Sequence, residues 1–279
     1  MISVIIETLR ESALHIDTLL NQQNGSYLQS TNASGDMQLE VDVEADRIFQ
    51  KALLELPSVK AICSEEQEEI CYSNNKNAPY IIAYDPLDGS SLIDSNLSIG
   101  SIFGIYNEEL KPSSLIASGY IVYGPRLEMV VAQEQVLHYR YDGAQWRNLG
   151  VLQLNTKGRI NAPGGTQKHW ESKHKTMIES LFMQGYRLRY SGGMVPDLHQ
   201  ILVKGGGLFS YPATTDAPNG KLRKLFEVFP LAFIYEKAGG YATDGTKRLL
   251  ELEVGHIHES SPCFFGSKEE MELVRRIYE

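Results

Sequence analysis

No stretch of this 279-residue chain approaches the roughly 18 consecutive apolar residues that a bilayer-crossing helix requires. A basic opening segment is missing too. In Met1-Ile-Ser-Val-Ile-Ile-Glu-Thr-Leu-Arg10 the apolar run is broken by Glu7 and then by Glu11, which reads as an amphipathic helix rather than a signal peptide. The expectation is a cytoplasmic protein with no membrane partner. Cysteine is scarce: Cys63, Cys71 and Cys263 are odd in number and match no zinc spacing. Reduced thiols in a reducing compartment are the simplest account, ahead of a Cys63–Cys71 redox pair. Positive charge is in deficit. The chain has 26 Lys and Arg against 35 Asp and Glu, a net charge of −9, so no nucleic-acid partner is expected.

Several catalytic signatures are also lacking. No Gly-x-Ser-x-Gly elbow anchors a serine hydrolase. Gly220-Lys221 is followed by leucine and lacks the upstream glycine of a P-loop, and Gly205-Gly-Gly207 is not a dinucleotide fingerprint. His256 and His258 have no nearby partner to complete a zinc site.

What is present is the length and composition of one large or two modest globular domains, with 42% apolar and 22% charged residues. Helical spacing of apolar residues predicts helices over 2–20 and about 36–56, with a polar, Gly/Ser/Asn-rich loop between them over 21–35. Strands are predicted at 59–63, 80–84, 99–106, 116–123 and 127–132, the last two joined by a turn at Gly124-Pro125. Beyond residue 150 helices are predicted near 170–184, 194–203, 222–238 and 268–278. Strands are predicted there near 186–190, 207–211, 241–243, 248–252 and 263–266. The pattern is that of an α/β chain with two lobes, 1–157 and 158–279.

Chemistry concentrates in Tyr80-Ile-Ile-Ala-Tyr-Asp-Pro-Leu-Asp-Gly-Ser-Ser91. A buried strand runs into Asp85 and Asp88, oxygen donors suited to a hard cation such as Mg²⁺. Gly89-Ser90-Ser91 follows, with backbone N–H groups and hydroxyls suited to a phosphate. Read alone, Asp-Pro-x-Asp-Gly is equally a plain turn. Other acids bear on the choice. Ser64-Glu-Glu-Gln67 closes another strand, although Ser64 with Gln67 also reads as a helix capping box. Asp36, Asp42 and Asp46 could be a solvated helix face, and Glu227 a surface residue. Two strands that both end in paired acids favour a metal site, since functional residues of α/β sheets gather at strand carboxyl ends. Arg187-Leu-Arg189-Tyr190, Ser210-Tyr-Pro212 and Asn219-Gly-Lys-Leu-Arg223 supply the cations and tyrosine hydroxyls that a second phosphate would need.

Asp85-Pro-Leu-Asp-Gly-Ser-Ser91, Ile93-Asp94 and Gly100-Ser-Ile-Phe-Gly-Ile-Tyr106 together resemble class 1 fructose-1,6-bisphosphatase. The resemblance continues through Ser64-Glu-Glu66, Arg189-Tyr190, Gly193-Met194-Val195, Asp197, Tyr211-Pro212, Lys221-Leu-Arg223, Phe226-Glu227 and Glu236-Lys-Ala-Gly-Gly240. It implies a layered αβαβα sugar-phosphatase fold, a homotetramer, and removal of the 1-phosphate of fructose 1,6-bisphosphate in gluconeogenesis. Two or more Mg²⁺ ions per subunit are implied, with Mn²⁺ or Zn²⁺ as alternatives. By the resemblance, Glu65, Asp85, Asp88, Glu227 and the Leu87 carbonyl carry the metals. Glu66 and Asp42 orient and deprotonate water, and Asp36 belongs to a loop that closes over the site. Asp88, Gly89, Ser90 and Ser91 surround the 1-phosphate. Tyr190, Tyr211 and Lys221 hold the 6-phosphate, joined by Arg189 of a neighbouring subunit, while the Met194 backbone and Arg223 lie along the sugar.

By the resemblance, Met1 falls inside the helix that follows the family's usual AMP-binding segment, so AMP inhibition of the usual kind is not an expectation here. Tyr123-Gly-Pro-Arg126, Leu188 to Asp197 and Phe226-Glu-Val228 are also similar to sedoheptulose-1,7-bisphosphatase. That enzyme, or one acting on both sugars, is the close alternative; a catalytically silent sugar-phosphate sensor is the non-enzymatic one.

Overall fold

The computed structural model describes residues 1–22, 27–31 and 37–279, the side chains of 27–31 and 37–39 excepted; Asp36 lies outside the described residues. Helix α1 (Ile2–Gln22) buries Ile5, Ile6, Leu9, Ala13 and Ile16, and α2 (Glu40–Leu54) buries Val41, Ala45, Phe49 and Leu53. Both stripes keep helical period, and the two helices pack against each other as an outer layer. Between them β1 (Tyr27–Thr31) pairs antiparallel with β2 (Met37–Leu39), so the stretch expected as loop contains a strand.

The second layer is a sheet of eight strands. In chain order they are β3 (Val59–Ser64), β4 (Cys71–Tyr72), β5 (Tyr80–Asp88), β6 (Ile99–Asn107), β7 (Leu115–Tyr123), β8 (Glu128–Ala132), β9 (Val136–Tyr141) and β10 (Trp146–Val151), and in space 10-9-8-7-6-5-3-4. Strands β3 and β5 run parallel; the other pairings are antiparallel. The turn at Gly124-Pro125 joins β7 to β8 as expected. The β9–β10 hairpin and β4 were not anticipated.

The fourth layer is a five-stranded sheet. Its strands are β11 (Ile160–Pro163), β12 (Arg187–Leu188), β13 (Gly207–Tyr211), β15 (Tyr241–Thr243) and β17 (Cys263–Gly266), in the order 12-11-13-17-15. Strands β14 (Leu222–Arg223) and β16 (Ser260–Ser261) pair separately. Helices α4 (Met194–Val203) and α5 (Phe229–Lys237) are sandwiched between the sheets. Helices α3 (Ser172–Met183) and α6 (Lys268–Tyr278) cover the far face. The order α, β, α, β, α is that of the expected layered fold. Apolar side chains fill the space on both sides of the large sheet, with Phe226, Phe229, Tyr235 and Phe265 buried at the centre and Phe49, Tyr84 and Phe103 under α1 and α2.

Three further local expectations fail. The stretch 248–252 is a 3-10 turn, Leu249–Glu251, rather than a strand. The helix expected from 222 instead opens as β14 and a π-turn, Lys224–Val228, before α5. Pro230 has no N–H to close an α-helical turn onto residue 226, and its ring crowds that carbonyl. Ser64-Glu-Glu-Gln67 caps no helix: the Glu66 N–H donates to Ser64 Oγ (3.2 Å) and the Gln67 N–H to the Ser64 carbonyl (3.2 Å) in a tight turn.

On the buried face of α3, His174 is enclosed by Trp170, Phe264 and Tyr278, with Nδ1 2.9 Å from the Tyr278 hydroxyl. Burial pulls its pKa down to about 4, so the imidazole is neutral in the fold. The unfolded chain, with a histidine near 6.5, therefore binds the extra proton between those two values. This contribution to stability is present above pH 6.5 and is lost as pH falls toward 4. Thermal melts across that range should show His174→Phe losing less stability on acidification than the wild type; parallel curves would refute the assignment.

Candidate active site

The parallel pairing of β3 and β5 brings their carboxyl ends to one edge of the sheet. Ser64 stands opposite Tyr84, and the Glu65 N–H donates to the Tyr84 carbonyl (3.1 Å). Glu65 and Glu66 thereby arrive beside Asp85. Asp85 Oδ1 accepts the Leu87 N–H (2.9 Å), and the Pro86 carbonyl accepts from Ser101 Oγ (2.6 Å). These bonds fix the bend that turns Asp88 inward. Asp88 then spans to another layer: Oδ1 accepts from the Met194 N–H (3.0 Å) and Oδ2 from the Val195 N–H (2.6 Å), at the amino end of α4. From the opposite side the π-turn delivers Glu227, whose Oε2 accepts the Arg223 N–H (2.5 Å). Carboxylate oxygens of Asp85, Asp88 and Glu227, all buried, lie within 4.8 Å of one another.

Such an arrangement is costly without a cation. Burial pushes the Asp85 carboxyl well above the usual carboxylate range, and the charges of Glu65, Asp88 and Glu227 push the same way. Glu227 is raised in like manner, by burial and then by Glu65. Burial raises Glu65 to about 7 against the pull of Arg223, and raises Asp88 to about 6 against the Val195 and Met194 N–H groups. An all-oxygen donor set with surplus negative charge fits a hard divalent ion.

Asp42 and Asp46 are not a solvated face; both are buried on α2. Asp46 accepts from the Tyr84 hydroxyl (2.9 Å) and from Gln67 Nε2 (2.6 Å). Asp42, four residues earlier, shares its helix face. Gly89 takes a left-handed conformation (φ 77°), and a Cβ there would stand 3.0 Å from Gly193 Cα. This glycine lets a 3-10 turn, Ser90–Ser95, begin beside the acidic group, with Ser90 half-buried and Ser91 exposed.

Tyr190 and Tyr211 flank Gly164, where a Cβ would meet Tyr211 Cδ2 at 2.4 Å and Tyr190 Cε2 at 3.2 Å. Burial raises the Tyr190 hydroxyl and takes that of Tyr211 up to about 12, so both keep their protons and can donate. The Asp216 carboxyl is held low chiefly by its bond from the Thr214 side chain, with Lys221 adding a smaller pull, and Asp216 also acts on Tyr211. Arg223 donates from Nη1 to the Lys221 carbonyl (2.8 Å) while its charge acts on Glu65 and Glu227. Arg189 does not join this group. It is exposed, donates to the Leu188 carbonyl (2.7 Å), and lines a different cavity. His258, set aside as a zinc ligand, lies with Nε2 2.8 Å from the Gln67 carbonyl.

One cluster went unnoticed in the sequence because its members are single residues far apart. Glu128 Oε2 lies 2.7 Å from His138 Nε2 and 3.2 Å from His199 Nε2, while Oε1 accepts from Arg126 (3.0 Å) and Arg140 (2.8 Å). His199 Nδ1 is 3.0 Å from the Tyr120 hydroxyl. Burial opposes ionisation of Glu128, but the bonds from His199, His138, Arg140 and Arg126 overcome it and hold the carboxyl below its usual range. The carboxylate thus ties α4 to β8 and β9. Glu128→Ala leaves these donors facing a void and is expected to cost about 3 kcal/mol in chemical denaturation; a change below about 1 kcal/mol would show the network to be idle.

A buried oxygen-ligand centre on an αβαβα scaffold is the class of protein that fold and site define. Family models describe the particular one. The model of the fructose-1,6-bisphosphatase N-terminal domain matches residues 4–154, and that of the C-terminal domain matches 154–279. The chain is 80% identical, over the full length of both, to a class 1 fructose-1,6-bisphosphatase of Helicobacter hepaticus. It is 54% identical, over 98% of each chain, to one of Campylobacter jejuni subsp. doylei. Among solved structures, the holo form of Leishmania major fructose-1,6-bisphosphatase superposes with a TM-score of 0.94 at 30% identity, covering 99% of this chain and 94% of that one. A candidate sedoheptulose-1,7-bisphosphatase of Toxoplasma gondii superposes at 0.88 with 32% identity, covering 96% and 90%. The chain belongs to the class 1 fructose-1,6-bisphosphatase family.

Proposed function

We propose that this chain hydrolyses the 1-phosphate of fructose 1,6-bisphosphate, with Mg²⁺ as the divalent ion, to give fructose 6-phosphate and inorganic phosphate. The observation that carries this reading is the convergence of Asp85, Asp88 and Glu227 beside the Gly89-Ser90-Ser91 turn, with two tyrosines and a lysine available for a second phosphate. Glu65, Asp85, Asp88, Glu227 and the Leu87 carbonyl would hold the metal, which when bound supplies positive charge to the phosphoryl oxygens and the leaving oxygen. The N–H and hydroxyl groups of Ser90 and Ser91 orient the 1-phosphate. Glu66 and Asp42 align a water and take its proton as oxygen attacks phosphorus and the bond from phosphorus to the sugar oxygen breaks. Tyr190, Tyr211 and Lys221 hold the 6-phosphate, so that binding energy remote from the reaction positions the reacting end. Arg223 and the Met194 backbone lie along the sugar.

We assign 1–157 to a metal-binding lobe and 158–279 to a substrate-binding lobe, with Glu227 crossing the division. A homotetramer is the assembly that suits the exposed Arg189, which would reach a neighbouring copy's 6-phosphate, and the cytoplasm is the location we assign. Among the described residues no helix is long and apolar enough to cross a membrane. Phosphate release from fructose 1,6-bisphosphate, dependent on added Mg²⁺, is the deciding assay, and its absence would overturn the reading. The likeness to the Toxoplasma protein favours a second substrate, sedoheptulose 1,7-bisphosphate, and kcat/KM on both sugars separates the two.

A further inference from the structure

Asp197 is a buried acid in the first turn of α4, and the proposed reaction gives it no part. Its carboxylate reaches back along the chain. Oδ1 and Oδ2 both accept the Ser191 N–H (2.8 and 3.0 Å), and Oδ2 accepts the Gly192 N–H at 3.5 Å. Burial raises the carboxyl to about 6 against those bonds, so this is a costly way to close a turn. A serine or asparagine just before the helix would cap it more cheaply, yet Gly193 stands there and offers no side chain.

What the carboxylate closes is the link between the two halves of the candidate site. Tyr190 precedes the turn. Met194 and Val195 follow it and give their N–H groups to Asp88. Between them Gly192 takes φ of +108°, and Gly193 packs so closely that a Cβ on Gly89 would stand 3.0 Å from its Cα. Ser191 Oγ accepts the Gly193 N–H (3.3 Å). The path from Tyr190 to the Asp88 donors is thus held at three successive residues. At its far end the Tyr190 ring lies against Gly164. Burial and then the charge of Asp197 raise the Tyr190 hydroxyl, which therefore keeps its proton and can donate it to an anionic oxygen.

We propose that Asp197 is a positioning residue for the second phosphate: by holding Ser191 and Gly192 it fixes where the Tyr190 hydroxyl stands relative to Asp88. The proposal rests on the reading that Tyr190 grips that phosphate. A donor aimed before the ligand arrives loses less freedom on binding, and a buried carboxylate holds its turn more firmly than a solvated cap would.

Fructose 6-phosphate carries the second phosphate alone and needs no turnover. Its affinity for the full-length protein, read by isothermal titration, isolates this grip. Asp197→Ala should weaken it about tenfold. Asp197→Asn keeps an oxygen for the Ser191 N–H and should return it to within about threefold of the wild type. Gly192→Ala disturbs the same turn with the carboxylate in place, because a side chain at φ +108° is strained. It too should weaken binding about tenfold, and it keeps the test open should Asp197→Ala not fold. Gly143→Ala is strained alike, at φ +95°, but lies between β9 and β10 and should leave the affinity unaltered. Hydrolysis of fructose 1-phosphate, which lacks the second phosphate, should keep its kcat/KM within about threefold in every variant. Equal affinities across the variants, an Asp197→Asn as weak as Asp197→Ala, no binding by the wild type, or a matching fall on fructose 1-phosphate would overturn the proposal. Binding of fructose 6-phosphate with no phosphate released from either sugar would strike the proposed reaction alone, and the affinities would still decide the role of Asp197.

Discussion

Asp85→Asn should abolish turnover without unfolding the protein. Its carboxylate faces Glu65, Asp88 and Glu227 at once, so removing its charge takes away a ligand common to the whole cluster. A loss of about 10³-fold or more in kcat/KM is expected, equivalent to roughly 4 kcal/mol of transition-state stabilisation. The amide keeps an oxygen for the Leu87 N–H, so the bend at Pro86 should persist. In metal-free protein the same change relieves repulsion among buried like charges, and the melting temperature should hold or rise. Added Mg²⁺ should then raise the melting temperature of the wild type by mass action on the folded state, and that of the variant far less. A variant retaining a tenth of normal activity, or an identical Mg²⁺ response, would refute Asp85 as a shared ligand.

Gly100→Val should damage both stability and catalysis from a position that touches no substrate. Gly100 lies opposite Asp88 in the β5–β6 ladder. A Cβ there would stand 2.4 Å from Val195 Cγ1 and 2.7 Å from the Ile121 carbonyl. Overpacking alone costs about 1–3 kcal/mol, or a fall in melting temperature of roughly 2–12 °C for a chain of this size. The residue that must yield is Val195, whose N–H holds Asp88 Oδ2 at 2.6 Å. Displacing it should lower kcat/KM at least tenfold at temperatures where the variant is still folded. Gly255→Ala is the control, because a Cβ there meets only Glu259 Oε2 at 3.6 Å. A destabilised Gly100→Val with normal kinetics would show that Asp88 does not depend on this contact.

Those residues differ in how far the sequence announced them. Asp85, Asp88 and Glu65 were legible because a buried strand ending in acids is a local pattern, and the fold repeats it on two parallel neighbours. For Asp42 and Asp46 the residues alone left a solvated face open, although they continue the spacing of Phe49 and Leu53 along α2 and are buried with them. Their spacing was visible; their polarity hid it. The β9–β10 hairpin escaped notice because β10 is largely exposed and lacks an apolar alternation. Glu128, His138 and His199 could be joined only by tertiary structure, since β8, β9 and α4 bring them together across 71 residues of chain. The π-turn was hidden in a run of helical spacing, with Pro230 as its one local sign.

That turn makes the site depend on a count of residues as well as on their identities. Lys224–Val228 is wound wider than the helix it feeds, and Glu227 sits inside it. Deleting Val228 would leave every acidic residue in the chain. It would nevertheless turn the glutamate about 100° around the axis of α5, away from Asp85 and Asp88. An inventory of residue types would score the shortened chain as intact, so in this chain the length between Arg223 and Phe229 is a criterion of competence in its own right.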